Sequence, residues 1–213
     1  MSNDKLEHDT GHLHRLVLFS DAVFAIAITL LAIELHPPEG WDHTIGGFFH
    51  LMGHKLVAFA ISFAVIAVNW WAHRRTFERL VKADGWLDAC NFLMLAAVTL
   101  TPFATEVLYE DFSRAAIAIY IFTVAAIGWA HGLVWGYAAF IGNLVDPNMT
   151  KKSRLFVLFS AGITPGMMCL LSFLSVAGSN IWGFVGMGLW LLAMILISRR
   201  LKPDARRVEA EPA

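Results

Sequence analysis

The stretch Arg15–Leu35, RLVLFSDAVFAIAITLLAIEL, decides how the rest of the chain is read. At 1.5 Å per residue it is long enough, as a helix, to cross a hydrocarbon core of about 30 Å. Its first third nevertheless carries Arg15, Ser20 and Asp21, which lipid does not accept cheaply, so other parts of the protein must receive them. The fourteen residues before it hold several acids and a single lysine, and the sequence after it, HPPEG, has no small-residue cleavage site. It reads as a retained spanning helix and not as a signal peptide.

Outward from this helix the composition stays on the membrane side. The chain is 57% hydrophobic and 15% charged, with a mean hydropathy of +0.60, against about 45–50% and 25% for soluble domains. Further apolar runs follow at Leu51–Ala72, Trp86–Leu108, Ala115 to Gly136 or Phe140, Leu155–Val176 and Ile181–Ser198. The expectation is an all-α, polytopic membrane protein with six transmembrane helices: a tail at 1–14, a membrane domain at 15–200 and a charged tail at 201–213. Pro102 falls late in the third span, with Thr99 and Thr101 placed to cover the backbone groups it frees; Pro165 interrupts the fifth.

Charge gives an orientation. If the N-terminus is cytoplasmic, 14 of the 16 Lys and Arg residues fall in cytoplasmic segments, and only Lys55 and Arg114 lie outside. That is the positive-inside pattern, and an even number of spans places both termini in the cytoplasm. A plasma-membrane protein is the expected setting.

Chemistry-bearing motifs are scarce. There is no nucleophile–base motif, HExxH, P-loop or dinucleotide fingerprint, so an enzyme is not expected. Cys90 and Cys169 each sit inside an apolar run and read as buried thiols. His8 and His12 have i,i+4 spacing, as do His50 and His54 in the first outer loop, without the cysteine or acidic pattern of a metal site. They read as solvated. No metal, cofactor or nucleic-acid partner is expected. Asn69, His73, Asn91 and His131 are the polar groups of the later spans, and they read as interhelical hydrogen-bonding residues. His73 and His131 at similar depth would also suit a haem.

At 100° per residue, Ala22, Ile26, Leu30 and Ile33 fall within about 80° of one another on the first helix. Arg15 and Phe19 extend that stripe and Thr29 borders it. Ser20 and Asp21 lie about 120° and 140° from Ile26. The apolar stripe therefore faces lipid while Asp21 faces the protein, or it lines a pore while Asp21 faces the surrounding helices. Periodicity does not choose between the two.

Arg15, Phe19, Ser20 and Asp21 spell R-x-x-x-F-S-D. This resembles the signature of the transmembrane protein 175 family of potassium channels, and AVFAIAITLLAIEL resembles that family's first helix. Six spans, cytoplasmic termini and the run His73, Arg74, Phe77 after the second span are similar as well. The resemblance implies a homotetramer with four copies of the first helix around one potassium pore. It places an isoleucine constriction at Ile26 and further layers at Thr29 or Leu30 and at Ile33. It makes the motif aspartate an anchor between helices, with Ser20 and Asp21 bonding to groups such as His73 and Asn69 or Trp70. No TVGYG-like filter is present, so an apolar ring would gate by dewetting or closure. The alternative reading is a proton-coupled secondary transporter using Asp21, His73 and Arg15 as a relay. Paired broken helices and inverted repeats are not evident for it.

Overall fold

The computed structural model of the protein describes residues 3–178 together with 188–190, 192–193 and 195–196. The architecture is all-α. Helices α1 (Asn3–Ile33), α2 (Ile45–Phe77), α3 (Gly85–Thr99), α4 (Thr101–Glu110), α5 (Arg114–Gly136), α6 (Lys151–Val157) and α7 (Thr164–Gly178) follow one another, with π-helical turns at Tyr137–Ile141 and Leu158–Ile163. Among the described residues, five continuous helical stretches are long and apolar enough to cross a membrane: Gly11–Ile33, Ile45–Phe77, Gly85–Glu110, Arg114–Ile141 and Lys151–Ser175. They correspond to the first five expected spans. The sixth, Ile181–Ser198, lies mostly outside the described residues.

The helix starts are written in the sequence. Thr44, Asp84, Ser113 and Thr150 each precede a helix and accept a backbone N–H with the side-chain oxygen, from Gly47, Leu87, Ala116 and Ser153. These caps satisfy donors that the first helical turn leaves open. The loop before α2 is shaped by Gly40 and His43, both at positive φ, and by Asp42, whose carboxylate accepts from Thr44 N–H and hydroxyl. Those two bonds hold the exposed Asp42 carboxyl below its ordinary range.

Two features differ from the sequence reading. Residues 1–14, expected as a solvated tail, are helical from Asn3 onward as part of α1, and His12 Nε2 lies 2.9 Å from Asp88 Oδ2 on α3. The third span is two helices that meet at Leu100, one turn ahead of where Pro102 removes a donor. Thr99 donates to Ala96 O and Thr105 to Thr101 O, whereas the buried Thr101 hydroxyl has no partner among the described residues. Pro165 acts similarly in the fifth span. The π-helical turn Leu158–Ile163 precedes it, and Thr164 Oγ1 donates to Phe159 O at 2.6 Å.

α5 is the centre of the packing, against α3, α4 and α7. Gly128 and Gly132 on α5 meet Gly166 and Gly162. A methyl group built on Gly132 would lie 3.4 Å from the Gly162 Cα, and one on Gly162 would lie 2.5 Å from the Gly132 Cα. Two GxxxG patterns therefore let two backbones touch, which in lipid is how helices gain dispersion contacts. α1 lies at the edge of this bundle and packs on α2, α3 and α4.

Candidate functional site: the first helix and its polar anchor

One face of α1 enters the core. Leu16, Ser20, Phe24, Ala27 and Leu31 are buried, at the i,i+3/i+4 spacing of a single helical stripe. Ser20 has no exposed surface. It donates to Leu16 O at 2.8 Å and accepts from Asn91 Nδ2 of α3 at 2.9 Å. Asn91 Oδ1 in turn accepts from His73 Nε2 of α2 at 3.0 Å. The donors thus run in one direction, His73 to Asn91 to Ser20 to the α1 backbone, and join three helices. His73 is held in place by stacking on Phe77, with ring centroids 4.1 Å apart, and by Phe24 at 5.6 Å.

Asp21, half-buried, points towards α2, and its Oδ1 accepts from Trp70 Nε1 at 2.7 Å. Trp70, one of the candidate partners, is the residue that meets it. Asn69 is not: its amide donates to Val65 O on its own helix. Nor does His73 reach Asp21 directly; it joins the motif through Asn91 and Ser20. Phe19 makes an edge contact with Phe92 of α3 at 5.6 Å. Arg15 is exposed.

Among the described residues, nothing packs over the opposite face of α1. Ile26 is 56% exposed, Ile33 63% and Leu30 37%, and Ala22, Ala25 and Thr29 are exposed beside them. Thr29 donates its hydroxyl proton to Ile26 O at 2.8 Å, which leaves the oxygen lone pairs directed outward from the helix. This face can offer a water column or an ion only alkyl groups and the single hydroxyl oxygen of Thr29. It contains no acid, base or nucleophile.

The remaining polar candidates are internal ties. His131 Nε2 lies 2.8 Å from Thr76 Oγ1, linking α5 to α2. With His73 on Asn91 and His131 on Thr76, the two imidazoles are committed to neighbouring helices and do not present opposed haem ligands. Among the described residues no group of three His, Cys, Asp or Glu side chains could hold a metal ion. Sequence reasoning missed the pairing of Asn91 with Ser20 and of Thr76 with His131. It also missed Arg154, which donates to Ala139, Met149 and Asp146 carbonyls around the π-helical turn at Tyr137–Ile141.

The sequence pattern of the family described as endosomal/lysosomal potassium channel TMEM175 matches residues 15–102, the region that holds the motif, Trp70, His73 and Asn91. A potassium channel of Streptomyces collinus is 31% identical over 182 residues, covering 78% of this chain and 87% of its own. A potassium channel of Chamaesiphon minutus is 33% identical over 180 residues, covering 80% and 87%. The mouse endosomal/lysosomal proton channel TMEM175 is 29% identical over 150 residues, which make up 67% of this chain but 29% of that protein. Among solved structures, a lysosomal potassium-selective channel TMEM175 homolog from Chamaesiphon minutus superposes with a TM-score of 0.66 at 27% identity, over 90% of this chain and 99% of that one. This multi-pass membrane protein therefore belongs to the TMEM175 family, a family of ion channels and not of enzymes.

Proposed function

We propose that the protein conducts K⁺ across a bacterial plasma membrane as a homotetramer, with four copies of α1 around the ion path and both termini in the cytoplasm. Ile26 forms the constriction, and Thr29, Leu30 and Ile33 form the layers beyond it. Phe19, Ser20, Asp21 and, through Asn91, His73 hold α1 at its angle to the other helices, and the exposed Arg15 completes the motif at the cytoplasmic end of the helix.

The observation that carries this reading is the division of α1 into two faces. The polar motif is spent on contacts within the protomer, with Trp70, Asn91 and, through Asn91, His73. The Ile26 face is left open. Four such faces around an axis make an apolar ring, which blocks ions by excluding water when narrow and passes them when it widens. Potassium is preferred to protons as the cargo because the bacterial potassium channels match over most of both chains, whereas the proton channel from mouse matches over 29% of its length. The transporter relay is disfavoured by connectivity: Asp21 binds Trp70, His73 binds Asn91, and Arg15 is exposed, so no hydrogen-bonded path joins them directly.

Replacing Ile26 with Asn should wet the ring and raise K⁺ flux into reconstituted vesicles by about tenfold, equivalent to lowering the barrier by about 1.4 kcal/mol. Recording with K⁺ on one side and Na⁺ on the other separates the readings. Discrete current steps reversing towards the potassium equilibrium potential support the channel, and slow uptake that requires a pH gradient supports the transporter.

A further inference from the structure

The end of α2 that bears Trp71 and Arg75, with Arg79 in the turn just after it, stands beside α6 and the π-helical turn after it, and a cavity of about 340 Å³ lies between them. Its two ends differ in chemistry. One is lined by the guanidinium-bearing Arg75 and Arg79, and the other by Val68, Ala161 and Pro165 with Asn69, whose amide is turned back to its own helix by its bond to Val65 O. From Val68 to Arg75 the α2 wall runs seven residues, or about 10 Å at the helical rise. Ser160 and Thr76 lie between the two ends.

Among the described residues the cationic end has no ion-paired carboxylate. Glu78, the nearest acid in sequence, pairs with Arg74 at 3.1 Å. Among the described residues no carboxylate lies within salt-bridge distance of Arg75 or Arg79. Arg75 stacks over the Trp71 ring, 3.8 Å from its centroid, and Arg79 Nη1 donates to Arg75 O at 3.0 Å. The two cations are thus held close together. Arg79, although exposed, is pushed below the ordinary arginine value, first by desolvation and then by Arg75, with the neighbouring Glu78 carboxylate only partly opposing them. An anion at this end would relieve both effects.

We infer that this groove is a binding site for an anionic phospholipid, with its headgroup phosphate on Arg75 and Arg79 and an acyl chain lying along Val68, Ala161 and Pro165 towards the membrane interior. A planar guanidinium pair suits bidentate contact with phosphate, and Trp71 suits the headgroup level. The continuity of the apolar wall with the cationic end commits the site to a lipid and not to a free phosphate ion. Basic pockets between transmembrane helices are recognised as sites for anionic headgroups on these grounds. The inference rests on the membrane reading of the fold and is independent of what the pore conducts.

The test uses the full-length protein, incubated with equal amounts of phosphatidylglycerol and phosphatidylcholine, with retained lipid counted by native mass spectrometry. The expected result is retention of phosphatidylglycerol several-fold over phosphatidylcholine, unchanged by excess inorganic phosphate. Arg75→Gln with Arg79→Gln should abolish the preference. Lys151→Gln with Lys152→Gln, which removes as much charge from residues outside the cavity wall, should keep it. Ala161→Trp, which fills the apolar end and keeps both arginines, should lower retention, and it decides the matter if the arginine pair does not yield folded protein. Equal retention of the two lipids by the wild type, an undiminished preference in the double arginine variant, or displacement by inorganic phosphate alone would overturn the inference. So would the absence of any retained lipid, which would mean that a neighbouring copy of the chain covers the groove.

Discussion

α1 and α5 are both long apolar helices, yet the bundle uses them in opposite ways. α5 buries nine residues, from Ala116 to Trp135, and three of them are Gly128 and Gly132, which meet the backbones of Gly166 and Gly162, and His131, which bonds to α2. α1 buries a single stripe through Ser20 and Phe24 and leaves Ile26, Leu30 and Ile33 open. In lipid, apolarity does not by itself bring helices together; close packing and hydrogen bonds do. The small residues of α5 therefore mark a scaffold. The large side chains of α1 stay exposed among the described residues, with a polar anchor on the opposite face.

That contrast can be broken or sharpened by substitution. The largest effect on folding is expected at the α5–α7 crossing. Gly162→Leu drives a side chain into the Gly132 backbone and should cost roughly 3 kcal/mol, as overpacking of a tight core does, seen as lost thermal stability of the purified protein. Next is Asn91→Ala, which strips Ser20 and His73 of their shared partner at once. The expected cost is about 1–2 kcal/mol, the upper range for hydrogen bonds between membrane helices. A double-mutant cycle with Ser20→Ala should show coupling; additive losses would mean that the two residues do not act together. Trp70→Phe removes only the bond to Asp21 and should cost about 0.6 kcal/mol, read from the same melting curves. Changes on the open face, such as Leu30→Met, should stay within about 0.5 kcal/mol, as surface substitutions do.

The smallest effect is a pH dependence outside the membrane. The Asp42 carboxyl is lowered from 3.8 by its bonds to Thr44, so its contribution to the cap of α2 is present above that value. It is lost as the pH falls through the lower value in the folded protein. Faster amide exchange at Gly47 in strong acid, absent in Asp42→Asn, would register it.

Much of this was legible in the residues. The 3.6-residue period places Ser20 inside and Ile26 outside, and the structure agrees, because helix geometry alone fixes which residues share a face. Proline positions marked the irregular stretches, although not their form: Pro102 became a break between two helices and Pro165 a π-helical turn. The partners of the motif were less accessible. Asn91 is 71 residues from Ser20 and Trp70 is 49 from Asp21, and nothing in local periodicity pairs groups so far apart. Polarity marks the N-terminal segment as solvated, and Gly11 and His14 are exposed, but polarity does not reveal that the segment is helical. Its helix persists as an extension of α1, and its inner end is tied down by His12 on Asp88. The Gly128–Gly132 and Gly162–Gly166 patterns were present in the sequence and would have signalled the α5–α7 crossing.

The central claim is that ions pass along the open face of α1 and are held back at Ile26. Single-channel recording of purified wild-type and Ile26→Asn protein, with K⁺ on one side and Na⁺ on the other, tests it most directly. The account predicts a K⁺ current in the wild type, and in the variant a larger current whose reversal potential moves towards zero. Identical currents and reversal potentials in the two proteins would contradict it.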